Sequence, residues 1–303
     1  MSEQVKTIVR ILESAGSNAR NDGELSLLTH EGALLIENIY NGESLQDQRK
    51  VADNVKPGSL AVYTISENKA SILFVNDDNI LRASEFDPDS EMWEETKLEG
   101  LGDLSVDPNS RLATTTLHDI SMVFYQGTDG TIKSLILRQA ESNIQGWVMG
   151  FPIPGDAQSS TPISAFTTDT ALHVSFIGKD EYVHIQNRDI QSGEWNETVL
   201  QNSSWDGPVT NMLVSQDIET GNFEVFALIN TKVDHIEKDG TRSTLGEIVG
   251  GKFVPSTKAE AGMIWVNNWG PTNNYFIINN RSCCGCGGYI VPVPCYRRRP
   301  FWC

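Results

Sequence analysis

One short phrase of sequence returns six times, and that recurrence restricts the fold more than any other feature of the chain. Each phrase opens on an aliphatic residue: "IVRIL" from Ile8, "LAVYT" from Leu60, "LATTT" from Leu112, "ISAFT" from Ile163, "MLVSQ" from Met212 and "MIWVN" from Met263. Successive starts lie 52, 52, 51, 49 and 51 residues apart. A fixed period of this size marks a repeat architecture, in which each unit buries its apolar face against the next. Within every period a stronger run follows: "LSLLT" (Leu25), "SILFVN" (Ser71), "SMVFYQ" (Ser121), "LHVSF" (Leu172), "FEVFAL" (Phe223) and "YFIIN" (Tyr275). Third runs such as "TIKSLIL" and "YVHIQN" come next in most units, and Trp93, Trp147 and Trp195 fall at matching places after them. Runs rich in β-branched and aromatic residues, bounded by Gly, Asp and Asn, are antiparallel strands of a meander.

Six units of three or four strands predict an all-β fold, a six-bladed β-propeller, because radial repetition hides sheet edges without closing one large barrel. The propeller is expected over residues 1–282, with repeat starts near 8, 60, 112, 163, 212 and 263, followed by a Cys-rich tail over 283–303. An irregular sandwich would give no reason for five intervals to agree within three residues. The opening "VKTIVRILESAG" has some helical spacing, but the period assigns Ile8 to Leu12 to the innermost strand of the first blade.

Composition narrows the partners. A net charge of −17 argues against nucleic acid and anionic membrane, since both reward positive surface. No apolar run reaches the length that spans a bilayer. The start "MSEQVKTIVRILESAG" has no basic opening, unbroken apolar segment or small-residue cleavage site, which points to the cytoplasm. The acidic run "FDPDSEMWEE" lacks the Gly and spacing of a Ca²⁺ loop and reads as a solvated hairpin tip.

In a propeller the first strand of each blade lines the central channel. The opening residues Ile8, Leu60, Leu112, Ile163, Met212 and Met263 make one apolar level. Four positions on stand Thr64, Thr116, Thr167, Gln216 and Asn267, a ring of uncharged hydrogen-bonding groups. Water satisfies such groups in the plainer reading. In the functional one they are the convergent polar groups of a small-molecule pocket. Tyr63 and His118 are the candidate catalytic groups beside the ring, Tyr63 as a phenolic proton donor. Thr64, Thr116, Thr167, Gln216, Trp265, Asn267 and Trp269 are the candidate substrate-binding residues, with the tryptophans as stacking surface.

The third unit, "MVFYQGTDGTIKS" followed by "GW" and "FPIPG", resembles the fungal fucose-specific lectins. Their blades carry a pattern close to Arg-Val-Tyr-Phe-Gln-x-x-x-Gly-x-Ile-Arg-Glu, then Gly-Trp. The resemblance implies a six-bladed propeller with sugar held between blades, where the Arg and Glu bond the hydroxyls and an aromatic ring stacks on the apolar face. A neutral sugar needs a planar donor, an acceptor and an apolar platform. Here the pair is replaced in every blade: Glu24 and Ile36, Ile72 and Ala83, Met122 and Ser134, His173 and Ile185, Glu224 and Ile236, with Asn274 where the last Arg belongs. The scaffold is therefore expected without the family's fucose sites.

Fungal hetero-Diels–Alderases of secondary metabolism share this lectin-like scaffold, as the same resemblance has it. A pericyclase needs neither cofactor nor metal, only a shaped apolar pocket and a few neutral donors. Two functions are therefore carried forward. The first is a cofactor-independent protein that binds an apolar polyketide or terpenoid and promotes a cyclisation or (hetero-)Diels–Alder cycloaddition by positioning. The second is a glycan-binding lectin of non-fucose specificity; a homodimer is compatible with either.

His173 and His184, on neighbouring strands of one unit, read as a cross-strand packing pair rather than a metal pair, since no third ligand accompanies them. All five cysteines lie between Cys283 and Cys303, in a spacing that fits no common zinc pattern. An errant final exon, a disulfide clamp and a metal knuckle are the readings of that tail, in that order.

Overall fold

The computed structural model describes residues 3–19, 24–66, 69–98, 100–117, 120–138, 146–217 and 220–256, with the backbone of two short strands, Met263–Val266 and Tyr275–Ile278. It is an all-β propeller. The first blade is β1 (Gly16–Ala19), β2 (Glu24–Glu31), β3 (Leu34–Asn41) and β4 (Ser44–Ala52), and the second is β5 (Val62–Ser66), β6 (Lys69–Val75), β7 (Leu81–Asp87) and β8 (Met92–Thr96). The third runs from β9 (Ala113–Leu117) through β10 (Ile120–Gln126) and β11 (Ile132–Arg138) to β12 (Gly146–Ile153). The fourth comprises β13 (Ile163–Thr167), β14 (Ala171–Ile177), β15 (Val183–Asp189) and β16 (Trp195–Leu200). The fifth has five strands, β17 (Val209–Gln216), β18 (Phe223–Ile229), β19 (Lys232–Ile236), β20 (Arg242–Val249) and β21 (Lys252–Pro255). A two-stranded sheet, β22 (Met263–Val266) and β23 (Tyr275–Ile278), follows, and β22 flanks β17. Among the described residues there are thus five complete blades and one hairpin. All the pairings are antiparallel, and innermost strands of successive blades lie side by side.

The second strand of each blade is the most deeply buried, because sheets stack on both of its faces. Ile72, Leu73, Phe74, Val123, Phe124, Val174, Phe176 and Val225 are all without solvent contact. Such strands read as continuous apolar runs rather than alternating ones. The clusters that result lie between blades: Leu73, Val75, Val123 and Tyr125 join the second to the third, and Phe124, Val174 and Phe176 join the third to the fourth.

The chain does not open with a strand. Residues Glu3–Glu13 form a helix, α1, which corrects the assignment of Ile8 to Leu12 as the innermost strand of the first blade and moves that blade's first strand to Gly16. The physical reason is local. Val5, Ile8, Val9 and Leu12 recur at i, i+3, i+4 and i+7, which gathers them on one face of a helix and would scatter them over both faces of a strand. That face packs against Leu27 of β2, Phe226 and Leu228 of β18, Val233 of β19 and Leu245 of β20. The helix is therefore a wedge between the first and fifth blades. Its exposed end carbonyls need partners, and Asn211 Nδ2 of β17 donates to the Leu12 carbonyl at 3.0 Å. Immediately beyond, Ala15 bonds Leu28 through its amide and Ala61 through its carbonyl. Gly16 must be glycine there, since a Cβ would stand 2.2 Å from the Ala61 oxygen.

The remaining innermost strands begin at Val62, Ala113, Ile163, Val209 and Met263, beside the repeat starts read at 60, 112, 163, 212 and 263. The tail 283–303 lies outside the described residues.

Candidate functional site

An axial cavity of about 130 Å³ runs between the innermost strands. Leu60, Leu112, Ile163 and Met212 all line it, so the apolar level expected from the repeat is present in four blades. Ile8 is absent from this wall because it sits in the helix core; Ile11, one turn on, contributes instead. Phe226 and the small polar residues Ser17, Thr114, Ser164 and Ser215 are also part of the wall.

The expected polar ring does not join this cavity. Thr64, Thr116, Thr167 and Gln216 lie about 13 Å further along their strands, and none of them lines the wall. Thr64, Thr116 and Thr167 are buried. Thr167 Oγ1 donates to the Thr116 carbonyl at 2.9 Å, joining the fourth blade to the third, and Gln216 Nε2 donates to the Gly221 carbonyl at 2.9 Å. Thr64 Oγ1 is buried with no hydrogen-bond partner among the described residues. Asn267, His118 and Trp269 lie outside the described residues, and of Trp265 only the backbone, on β22, is described.

Tyr63 touches the cavity, but its phenol is committed elsewhere. The ring packs in the core between the first and second blades, edge-on to Trp93 at 6.4 Å. Its hydroxyl donates to Glu37 Oε1 at 3.1 Å, while the Trp93 indole N–H donates to Glu37 Oε2 at 2.9 Å. Glu37 is fully buried, so this carboxylate joins two blades from inside.

The positions of the Arg–Glu pair are equally closed. Met122, Ser134, His173, Ile185, Ile36, Ile72, Ala83, Glu224 and Ile236 are buried and Glu24 is half-exposed, while Asn274 lies outside the described residues. His173 and His184 are not opposite each other: the register sets His173 against Asn187 and His184 against Phe176. His173 Nδ1 bonds Asn187 Oδ1 at 2.6 Å and its ring stacks on Phe166 at 4.5 Å. Burial pushes its pKa down to about 4, against the smaller opposing effect of that bond. His184 bridges Asp180 (2.8 Å) and Glu197 (2.9 Å). Partial burial opposes its charged form, but bonds and charges from Glu197 and Asp180 outweigh burial and raise its pKa.

What sequence reading missed is a set of seams where blades meet. Arg49 of β4 lies over the Phe86 ring of β7 at 5.1 Å, with Trp93 at 5.3 Å from Phe86. Arg188 of β15 lies over the Phe151 ring of β12 at 4.6 Å, with Trp195 at 5.7 Å from Phe151. Arg242 of β20 lies over Trp205 at 5.2 Å. Each cation–aromatic pair is 37 residues apart in the chain (49 to 86, 151 to 188, 205 to 242), so these are one feature of the repeat. In the third-to-fourth seam cation and ring have exchanged blades relative to the first-to-second. The second-to-third seam is filled instead by Leu98, Leu101, Leu137 and Trp147.

The three guanidinium groups differ in what they bond. Arg49 Nε donates to Asp47 at 2.7 Å. Arg242 donates twice to Asp234 Oδ2, at 3.0 and 2.7 Å, and Trp205 donates to the same oxygen. No side chain or carbonyl among the described residues accepts from Arg188. It is half-exposed, as are Phe151 and Trp195, and it stands opposite Trp195 in register beside the turn of the β15–β16 hairpin. The geometry offers a planar, five-donor cation held flat by one ring and flanked by a second.

No protein-family model matches the chain, and no curated protein matches it by sequence. Its fold is similar to solved lectins. The lectin SapL1 in complex with alpha methyl fucoside is 18% identical, with a TM-score of 0.57 over 89% of this chain and 91% of that one. An Aleuria aurantia lectin variant in complex with alpha-methyl-L-fucoside is 16% identical, with a TM-score of 0.58 over 86% and 84%. AofleA from Arthrobotrys oligospora is 15% identical, with a TM-score of 0.58 over 76% and 70%. At these identities the likeness is one of fold.

Proposed function

We propose that this chain is a carbohydrate-binding, lectin-like propeller that holds saccharide at a seam between blades, by contacts other than an Arg–Glu pair. The observation that carries the reading is the third-to-fourth seam. Phe151 and Trp195 give apolar ring faces and Arg188 gives unspent planar donors, which are the groups a pyranose needs. The similar folds described as fucoside complexes support the class of ligand. The β22–β23 hairpin beside β17 supports a six-bladed ring, of which it forms the opening strands.

A cofactor-free cyclisation or (hetero-)Diels–Alder reaction at the axis is the second reading, favoured by the apolar wall of Leu60, Leu112, Ile163 and Met212. It takes second place because small-molecule pockets measure roughly 300–1,000 Å³, more than twice this cavity, and because Tyr63 spends its proton on Glu37.

A glycan array probed with the intact protein separates the two. Retention on one or more glycans is expected, weakened at least tenfold by Trp195→Ala, a loss of about 1.4 kcal/mol. Silence across the array, or retention indifferent to Trp195→Ala, would remove the proposal.

A further inference from the structure

We infer that the third-to-fourth seam takes the carboxylate of an acidic saccharide, with Arg188 as its anchor; this rests on the carbohydrate reading and names the ligand class for that site. At two other seams the guanidinium that meets a ring also meets a carboxylate of the chain, Asp47 for Arg49 and Asp234 for Arg242. A guanidinium laid on a ring still presents its N–H edge outward, and that edge fits a carboxylate bidentately. At Arg188 the edge is present and the protein carboxylate is missing.

The acidic side chain on the same face of β16 as Trp195 is engaged elsewhere. Glu197 stands two positions along β16 from Trp195, and its Oε1 is taken by His184 and Gln186. Glu194 is exposed and makes no ion pair with Arg188. Space beside the guanidinium is preserved by Gly193, whose φ of +73° no ordinary side chain adopts easily. A Cβ there would stand 3.1 Å from Arg188 Nη2. In a chain of net charge −17, one bare cation between two rings selects a ligand that carries both a sugar face and an anion.

The test prints matched pairs of glycans, each ending in a uronic acid or in the same sugar with its carboxyl reduced to an alcohol. The intact protein is expected to retain the acidic member at least tenfold more strongly, with the preference shrinking as salt screens it. Arg188→Gln should abolish the preference while leaving the melting temperature unchanged, and Arg188→Lys should restore only part of it because the fork is lost. Equal retention of both members, a preference that survives R188Q, or equal retention of sulfated glycans would overturn the inference and leave the carbohydrate reading standing. An array silent to every glycan overturns both.

Discussion

Glu37 shows how single residues bind this ring together. A buried carboxylate is costly unless hydrogen-bonded, and Tyr63 and Trp93 of the next blade supply the donors. Tyr63→Phe should therefore cost about 1–3 kcal/mol in urea denaturation, the range for leaving a buried hydrogen-bonding group without its partner. Gly16 acts by having no side chain. Gly16→Ala drives a Cβ into the Ala61 carbonyl, and the expected loss is about 1–3 kcal/mol, the usual cost of overpacking. The two histidines of the fourth blade respond to pH in opposite senses. His173 is held neutral in the fold, with a pKa depressed to about 4. Its contribution is full above the unfolded value near 6.5 and is lost as pH falls from there to about 4. His184 has a raised pKa, so its contribution is present below about 6.5 and is lost as pH rises through the folded value. Melting curves of His173→Gln should lose much of the destabilisation between pH 6.5 and 4; an unchanged slope would refute the assignment.

Among elements, α1 has the clearest task. It presents one apolar stripe to two blades at once, and Ile8 at its centre has no solvent exposure. Ile8→Ala should cost about 2–5 kcal/mol, as for other large-to-small core changes, read from the denaturation midpoint. A loss below 1 kcal/mol would mean the wedge is dispensable. The helix was visible in the spacing of Val5, Ile8, Val9 and Leu12, but a fifty-residue period also ran through it. The 3.6-residue periodicity decided the outcome, because it fixes which side chains share a face, whereas a repeat interval carries no such constraint. The β-blades were more legible. "SMVFYQ" and "TIKSLIL" became β10 and β11, and the acidic tip became the β7–β8 turn, where Asp87 accepts from Ser90.

For the whole molecule, the axis and the seams compete as the place of function. The axis is narrow and largely apolar, and the predicted polar residues Thr64, Thr116, Thr167 and Gln216 do not line it; Thr167 instead bonds the Thr116 carbonyl of the neighbouring blade. Ala165 lines the cavity, so Ala165→Leu should narrow it further while leaving glycan retention within about twofold of the unsubstituted protein. Abolished retention in that variant, with normal melting, would move the site from seam to axis. The seams were illegible at first reading because their partners are 37 residues apart and on different blades. The tryptophans stood out as single residues; the arginines did not, since nothing local to Arg49, Arg188 or Arg242 marks the ring that each one meets.

Strands, turns and their recurrence are written locally in the chain, because a strand's partner in a hairpin is a few residues away and side-chain periodicity is a local property. Packing between blades is what makes the first segment a wedge, buries Thr64, Thr116 and Thr167, and gives a carboxylate to Arg49 and Arg242 at their seams but not to Arg188. Those outcomes depend on how neighbouring sheets approach each other, and the distance and angle of that approach are set by all the blades packing together rather than by any one stretch of chain.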